Sequence, residues 1–347
     1  MTVTDNTQQP LVSFIVTCYN LPVDMLCECI DSILKLNLQH AEREIIVIDD
    51  GSGVSPMNDL LKYGDDIIYV RQKNNGVSVA RNTAMAMAKG RYIQLVDGDD
   101  TLLTAPYEYC LDLIRNCSDV DVVMFDFTHE AGRNHGDRSL DSDGKAVNHG
   151  PVPVISFNPP TIKNGADLLR TENIRGAACC CLFRQAVRGQ LAFTPGIAYG
   201  EDEEFTPQLL IRAETVYVTD AKAYFYRERT TSAVHQADEA SIQKRLSDTK
   251  EVILHLNRLA DRSPQSDKIA LQRRVAQLTM DYLYNTILLT RSEEKLNETI
   301  DDLRNNGLFP LPNHPYSTKY IWFRRLSNNA IGRKLLLTTL PLMKKER

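Results

Sequence analysis

Arg91-Tyr92-Ile93-Gln94-Leu95-Val96-Asp97-Gly98-Asp99-Asp100 is the stretch on which the reading of this chain turns. It is an apolar strand that ends abruptly in three carboxylates within four positions. A strand end delivers its side chains to the rim of a sheet, and in an open α/β sheet that rim is where ligands bind. Three acids there repel one another, a crowding tolerated mainly when a cation sits among them. Hard carboxylate oxygens suit Mg²⁺ or Mn²⁺, which commonly bridge to phosphates. Asp and Gly also favour turns after strands, so the neighbouring segments must decide between a turn and a site.

Working outward, strand and helix patterns alternate through the first 130 residues. Leu11–Thr17 is an apolar run that breaks at Tyr19-Asn20, and Pro22 opens a helix with Met25, Leu26, Cys29, Ile30, Ile33 and Leu34 on one face. Glu44–Ile48 is a second strand, followed by a short helix near Met57–Lys62 and a strand at Ile67–Arg71. Val77–Lys89 reads as an alanine-rich helix stopped by Gly90. After the acidic cluster comes a helix from about Ala105 to Asn116, with Thr104 as N-cap and Pro106 in its first turn, then a strand at Asp121–Phe127. Strands spaced by single helices predict an α/β fold with a doubly wound, mostly parallel sheet. Residues 129–150 are polar and loop-like, and His129, His135 and His149 within them have no ligand spacing. Sheet-like segments resume at Ala177–Phe183, Thr215–Val218 and Lys222–Tyr226. Helical patterns over 238–262, 266–290 and 292–305 predict a C-terminal helical extension, dividing the chain into 1–235 and 236–347.

The chain has 347 residues, 43% of them hydrophobic, enough for one large domain and an appendage. A net charge of −5 gives no reason to expect nucleic-acid binding. The start Met1-Thr2-Val3-Thr4-Asp5 lacks a basic region followed by an apolar run, so no signal peptide is expected. The eight cysteines include the triplet Cys179–Cys181 in an apolar run, read as small buried hydrophobes alternating across a strand, and the set suits a reducing compartment.

Acidic groups recur after strands at Asp49-Asp50-Gly51-Ser52, at Asp97-Gly98-Asp99-Asp100 and at Gly200-Glu201-Asp202-Glu203-Glu204. Acids in a helix's first turn favour its macrodipole, but four exceed that need. The ordered motifs Val-Thr-Cys-Tyr-Asn (16–20), Glu-Ile-Ile-Val-Ile-Asp-Asp-Gly-Ser (44–52), Asn-Asn-Gly-Val-Ser-Val-Ala-Arg-Asn (74–82), the segment 90–100 and Gly-Glu-Asp (200–202) resemble a family 2 glycosyltransferase. The resemblance covers about residues 10 to 235.

That resemblance implies a GT-A fold and a single inverting displacement from a nucleotide-sugar donor, with a uridine diphosphate sugar as the default. It implies that Thr17, Tyr19 and Asn20 wall the base pocket and that Asp49 accepts a hydrogen bond from the base. Asp50 and Ser52 would support that loop or the ribose, while Asn75, Gly76 and Arg81 would lie over the nucleotide, Gly76 allowing close approach. Asp97, beside Gly98, would meet the ribose or a metal-bound water, and Asp99 would be the main ligand to Mn²⁺ or Mg²⁺. Asp202 would be the general base, with Glu201 its alternative. Arg227 and Arg229 would neutralise the diphosphate, and His235 could approach the metal or phosphates. The acceptor would be a glycan or lipid-linked glycan in bacterial surface-polysaccharide assembly.

The tail from 318 to 347 sets eight Lys and Arg against Glu346, beside Trp322 and Leu335–Leu337. It reads either as a membrane-surface segment or as a helix packing on the catalytic domain with its basic face in water. The first reading places the protein in the cytoplasm at the inner face of the cell membrane. Rival readings are a nucleotidyltransferase, which would want a Gly- and Lys/Arg-rich loop where Thr17-Cys18-Tyr19-Asn20 stands, and a catalytically silent nucleotide- or glycan-binding module. No G-x-G-x-x-G follows a strand, which disfavours a dinucleotide-dependent dehydrogenase.

Overall fold

The structure is a computed structural model and describes residues 9–130, 156–228 and 238–343. Its elements run β1 (Val12–Cys18), α1 (Val23–Leu34), β2 (Arg43–Asp49), α2 (Met57–Leu60), β3 (Ile68–Arg71), α3 (Val77–Met87), β4 (Tyr92–Asp97), β5 (Thr101–Leu102), α4 (Thr104–Asn116) and β6 (Val122–Thr128). They continue with β7 (Thr161–Lys163), α5 (Gly165–Thr171), β8 (Cys181–Arg184), α6 (Gln185–Arg188), α7 (Glu201–Leu210) and β9 (Val216–Phe225). Five helices follow: α8 (Glu239–Arg262), α9 (Gln265–Thr290), α10 (Glu293–Asn305), α11 (Thr318–Ser327) and α12 (Ala330–Met343).

The described chain divides into two compact units. The first holds the sheet, in the order β3-β2-β1-β4-β8-β6-β9-β5, with β7 on β9. The fold is α/β, as the alternation of strand and helix predicts. Its N-terminal half, β3-β2-β1-β4, is parallel throughout. Beyond β4 the sheet is mixed, because β8 runs antiparallel to both β4 and β6 while β9 pairs parallel to β6.

Alternation across the strands makes two faces. Val12, Phe14 and Val16 of β1 and Ile45 and Val47 of β2 join Leu26, Cys29, Ile30 and Ile33 of α1 and Tyr107, Cys110 and Leu111 of α4 in one core. The intervening residues Ile15, Ile46 and Ile48 are equally buried, and α3 packs on these two strands. A strand buried on both faces is the parallel-sheet pattern, and β1 shows it along its whole length.

Several local expectations are corrected. Gly90 does not stop α3, which ends at Met87 with Ala88 already extended (φ −59°, ψ 129°). Glycine is needed at 90 because a Cβ there would fall 2.7 Å from Ser13 Oγ and 2.8 Å from the Val12 carbonyl carbon. Its N–H donates to Ser13 Oγ at 2.8 Å. Thr104 is the first residue of α4 rather than its N-cap, which is Leu103. The cysteine triplet does not alternate along one strand: residues 178–180 form a 3₁₀ turn and β8 begins at Cys181. Thr215–Val218 and Lys222–Tyr226 are one continuous strand, β9.

The second unit takes in α8–α12 and also Gly165–Gly176 and Ile197–Ile211, so it differs from a single cut after residue 235. Its core is built from Ile253, Leu256 and Ala260 of α8 with Leu271, Leu283 and Ile287 of α9, closed by Leu296, Ile300, Phe323 and Leu336. The inserted segments bring α7 and its acidic first turn into this helical unit.

Phe14 is fully buried with its ring centroid 6.0 Å from that of Tyr107. Phe14→Ala is expected to lower the unfolding free energy of the sheet unit by about 3–5 kcal/mol, read from the corresponding transition in urea denaturation.

Candidate active site

The register of the parallel strands aligns their carboxyl ends. Cys18 stands opposite Asp49, Asp49 opposite Arg71, and Thr17 opposite Asp97. Thr17, Asp49, Arg71 and Asp97 therefore lie along one rim of the sheet, where open α/β folds bind ligands.

Asp49 is fully buried, and both of its oxygens are engaged. One accepts the Ser52 N–H at 2.8 Å; the other accepts the Tyr69 hydroxyl at 2.9 Å and lies 3.5 Å from Arg71 Nε. Oδ1 accepts one donor of the two its lone pairs allow, so a further N–H need not displace Tyr69 or Arg71. Asp50 performs the same service for the next loop, accepting Gln72 Nε2 at 2.7 Å and the N–H groups of Asn75 at 3.0 Å and Gly76 at 2.8 Å. Just after these acids, Gly51 has φ +81° and a Cβ there would stand 2.7 Å from the Asn74 nitrogen. Gly76, at φ +87°, opens onto free space, so the backbone before α3 can be approached closely.

The turn after β1 is tied to the same loop. Asn20 adopts φ +49°, its N–H donating to Ser52 Oγ at 2.9 Å while its Oδ1 accepts the Gly53 N–H at 2.8 Å. Tyr19 beside it is 51% exposed, an open ring face at the rim. Gly98 packs β4 against β1, since a Cβ would lie 2.9 Å from the Thr17 carbonyl.

The acidic turn is bracketed by cations. Arg81, 3% exposed, pairs with Asp97 at 2.9 Å and lies over the Phe193 ring at 5.1 Å. Arg227 donates its backbone N–H to Asp100 at 2.8 Å and its Nε–H to the Asp99 carbonyl at 2.9 Å, and its guanidinium also pairs with Glu28. The Tyr224 hydroxyl donates to Asp100 at 2.8 Å and accepts the Asp97 N–H at 3.1 Å. Burial, together with the charges of Asp97 and Asp99, raises the Asp100 carboxyl to about 8, against the pull of the Arg227 and Tyr224 hydrogen bonds. Burial and the nearby Asp49 and Asp50 push the Cys18 thiol up to about 12, so it is an inert neighbour.

Among the described residues no three His, Cys, Asp or Glu side chains are already arranged as a metal cluster. The donor chemistry of the turn nonetheless fits a hard divalent cation. Asp97, Asp99 and Asp100 set hard carboxylate oxygens within four residues, and burial first, with the charges of Asp97 and Asp99 second, disfavours ionisation of Asp100.

In the second unit, Gly200 (φ +83°) caps α7, and Asp248 of α8 accepts the N–H groups of Ala198 at 2.9 Å and Tyr199 at 3.2 Å. Glu203 pairs with the buried Arg274 of α9, and Glu204 contacts His255 Nδ1 of α8 at 2.8 Å. Two of the four acids thus anchor α7 to its own unit. Glu201 and Asp202, both half-buried, precede these anchors in the first turn. Arg229 and His235 lie outside the described residues.

Sequence reasoning missed Tyr69, Arg71, Gln72, Phe193, Tyr224 and Arg274. Each is singular in the sequence and becomes legible only when the fold sets it against a buried acid or cation.

With this geometry in view, the comparisons with known proteins are decisive. The model of glycosyl transferase family 2 matches residues 13–190. The chain belongs to that family. It is 30% identical over 239 residues to the uncharacterized glycosyltransferase EpsJ of Bacillus subtilis, covering 64% of this chain and 62% of that protein. It is 28% identical over 225 residues to the poly(ribitol-phosphate) beta-glucosyltransferase of Bacillus spizizenii, covering 62% of this chain and 32% of that one. The chain thus spans less than two thirds of the length of these relatives. Among solved structures, S. aureus TarS matches with a TM-score of 0.60 at 16% identity over 95% of this chain and 55% of that one. TarS 1–349 in complex with UDP-GlcNAc matches with a TM-score of 0.56 at 17% identity, over 91% and 90%. The likeness establishes a shared GT-A-type fold.

Gly51→Ala would combine a left-handed φ with a Cβ pressed on the Asn74 backbone. It is expected to cost about 1–3 kcal/mol of stability although no donor atom is removed, a loss read from thermal melts.

Proposed function

We propose that this chain transfers a sugar from a nucleoside diphosphate donor, by default a UDP-sugar, to a hydroxyl of a glycan or lipid-linked glycan in surface-polysaccharide assembly. The observation that carries the reading is the acidic turn Asp97–Asp100 at the carboxyl rim of a parallel sheet, held between Arg81 and Arg227 in a family 2 chain. Support for uridine and for a cell-wall polymer comes from the UDP-GlcNAc complex of TarS and from the Bacillus spizizenii relative's action on poly(ribitol phosphate). Support for manganese comes from the fold neighbour PcManGT of Pyrobaculum calidifontis, solved with GDP-Man and Mn²⁺ (TM-score 0.52, 13% identity).

Tyr19 offers its ring to the base, and the Asn20–Ser52–Gly53 hydrogen bonds fix the wall behind it. Asp49 holds that wall through Ser52 and accepts a hydrogen bond from the base. Asn75, Gly76 and Arg81 lie over the nucleotide, and Asp97 meets the ribose. Asp99 and Asp97 would hold Mn²⁺ or Mg²⁺, with Arg227 beside them to neutralise the phosphates; Arg229 and His235, the further candidates for phosphate and metal, lie outside the described residues. The metal, when bound, supplies Lewis acidity to the departing diphosphate.

Asp202 takes the proton from the acceptor hydroxyl as its oxygen bonds to the anomeric carbon. The bond from that carbon to the diphosphate breaks on the opposite face, so configuration inverts. An Asp of ordinary pKa near 3.9 does this only as the new bond forms, a contribution of about 10²–10⁴ in rate. Glu201 is the alternative base.

Calorimetry with UDP, GDP, TDP and CDP, each with and without Mn²⁺, tests the donor half. UDP binding that requires Mn²⁺ and vanishes in Asp99→Ala is expected; failure of every nucleotide to bind would overturn the reading. For the chemical step, Asp202→Asn is expected to keep UDP affinity while transfer of labelled sugar falls about 10²–10⁴-fold. Near-wild-type transfer by that variant would move the base to Glu201.

A further inference from the structure

Helix α12 has two apolar faces where a surface helix ordinarily has one. Leu336 and Leu340 are buried in the core of the second unit, at 0% and 4% exposure. Ile331, Leu335 and Leu342 are exposed at 83%, 48% and 64%. At 3.6 residues per turn these three and Thr338 fall on a single stripe about 60° wide, facing away from Leu336 and Leu340. Lys334, exposed, borders the stripe. On α11, Trp322 is 46% exposed and lies one turn from the exposed Arg325. The two helices pack tightly, since a Cβ on Gly332 would lie 2.8 Å from the Leu326 carbonyl carbon. Lys319 pairs with the half-buried Asp281 at 3.3 Å, whereas Lys334 lies 3.7 Å from the exposed Glu293, a pair that does little to hide its charge.

We propose that the α11–α12 end of this chain binds the surface of a membrane rich in anionic phospholipid. Ile331, Leu335, Leu342 and Trp322 enter the boundary between headgroups and acyl chains, and Arg325 and Lys334 face the lipid phosphates. Three observations select this occupant. The described residues 318–343 include five Lys and Arg and no Asp or Glu, in a chain of net charge −5, so positive charge is concentrated where the apolar stripe is exposed. A second copy meeting this face across a two-fold axis would bring like charges together. A span is excluded for α12, whose 14 residues reach only about 21 Å against a hydrocarbon core of about 30 Å. No helix among the described residues is long and apolar enough to cross a membrane. The inference does not rest on the transfer reaction, and its test reads partitioning rather than activity.

The test is flotation of the full chain with phosphatidylcholine vesicles and with mixed phosphatidylcholine–phosphatidylglycerol vesicles, at low and high salt. Partitioning into the mixed vesicles at least tenfold above the neutral ones, falling with salt, is expected. Ile331→Asp with Leu335→Asp should reduce it at least tenfold, and Arg325→Gln and Lys334→Gln by roughly fivefold each. Unchanged melting curves and UDP binding would show that the variants fold. Absence from the mixed vesicles, or equal flotation of wild type and the aspartate variant, would overturn the proposal. So would a concentration-dependent dimer, lost in the aspartate variant and unaccompanied by vesicle binding, which would assign the stripe to a second copy.

Discussion

A carboxylate buried at the end of a parallel sheet must be given hydrogen-bond donors, and meeting that need shapes every loop around this site. Asp49 takes Ser52, Tyr69 and Arg71, and Asp50 takes Gln72, Asn75 and Gly76. These two adjacent acids therefore tie the loop after β2 to the loop before α3. Asn20 then ties the turn after β1 to the first of those loops. Three strand ends become one preorganised wall, and Gly51 is the residue that lets the backbones come close enough for it.

The second acidic run divides its labour differently. A helix whose first turn bears four carboxylates gains from its macrodipole, yet repulsion among them limits that gain. Here Glu203 and Glu204 are turned onto Arg274 and His255, which converts repulsion into attachment. Asp248 fixes the backbone just ahead of the helix. The first turn that carries Glu201 and Asp202 is thus held from both sides by its own unit. Anchoring through Glu203 and Glu204 fixes the helix start, and with it the backbone positions of Glu201 and Asp202.

The sequence displayed the strand ends because apolar runs terminating in Asp are rare enough to stand out, and the order of five motifs named the family. Elements with strong periodicity, such as α8, α9 and α10, fall within a few residues of their expected ranges. Where reading failed, tertiary demands had overridden local signals. Gly90 looked like a helix stop but is a close-approach glycine, and Cys179–Cys181 looked like a strand but is bent by a turn. The division of the chain was hidden for a similar reason. Gly165–Gly176 and Ile197–Ile211 join the helical unit through contacts distant in sequence, which no local composition shift announces. Tyr224 and Arg274, each central to an acidic cluster, carried no signal because a lone Tyr in a strand or Arg in a helix is ordinary.

The raised Asp100 gives the acidic turn its character. Two arginines and a tyrosine hydroxyl are directed at the cluster, yet burial and the charges of Asp97 and Asp99 still hold the Asp100 proton to about pH 8. A purely structural turn would have been relieved by replacing one acid with an amide. Keeping three retains hard oxygen donors at a rim already furnished with an open tyrosine ring and an exposed glycine backbone. Added positive charge would lower the cost of ionising Asp100, so cation binding and proton release are linked.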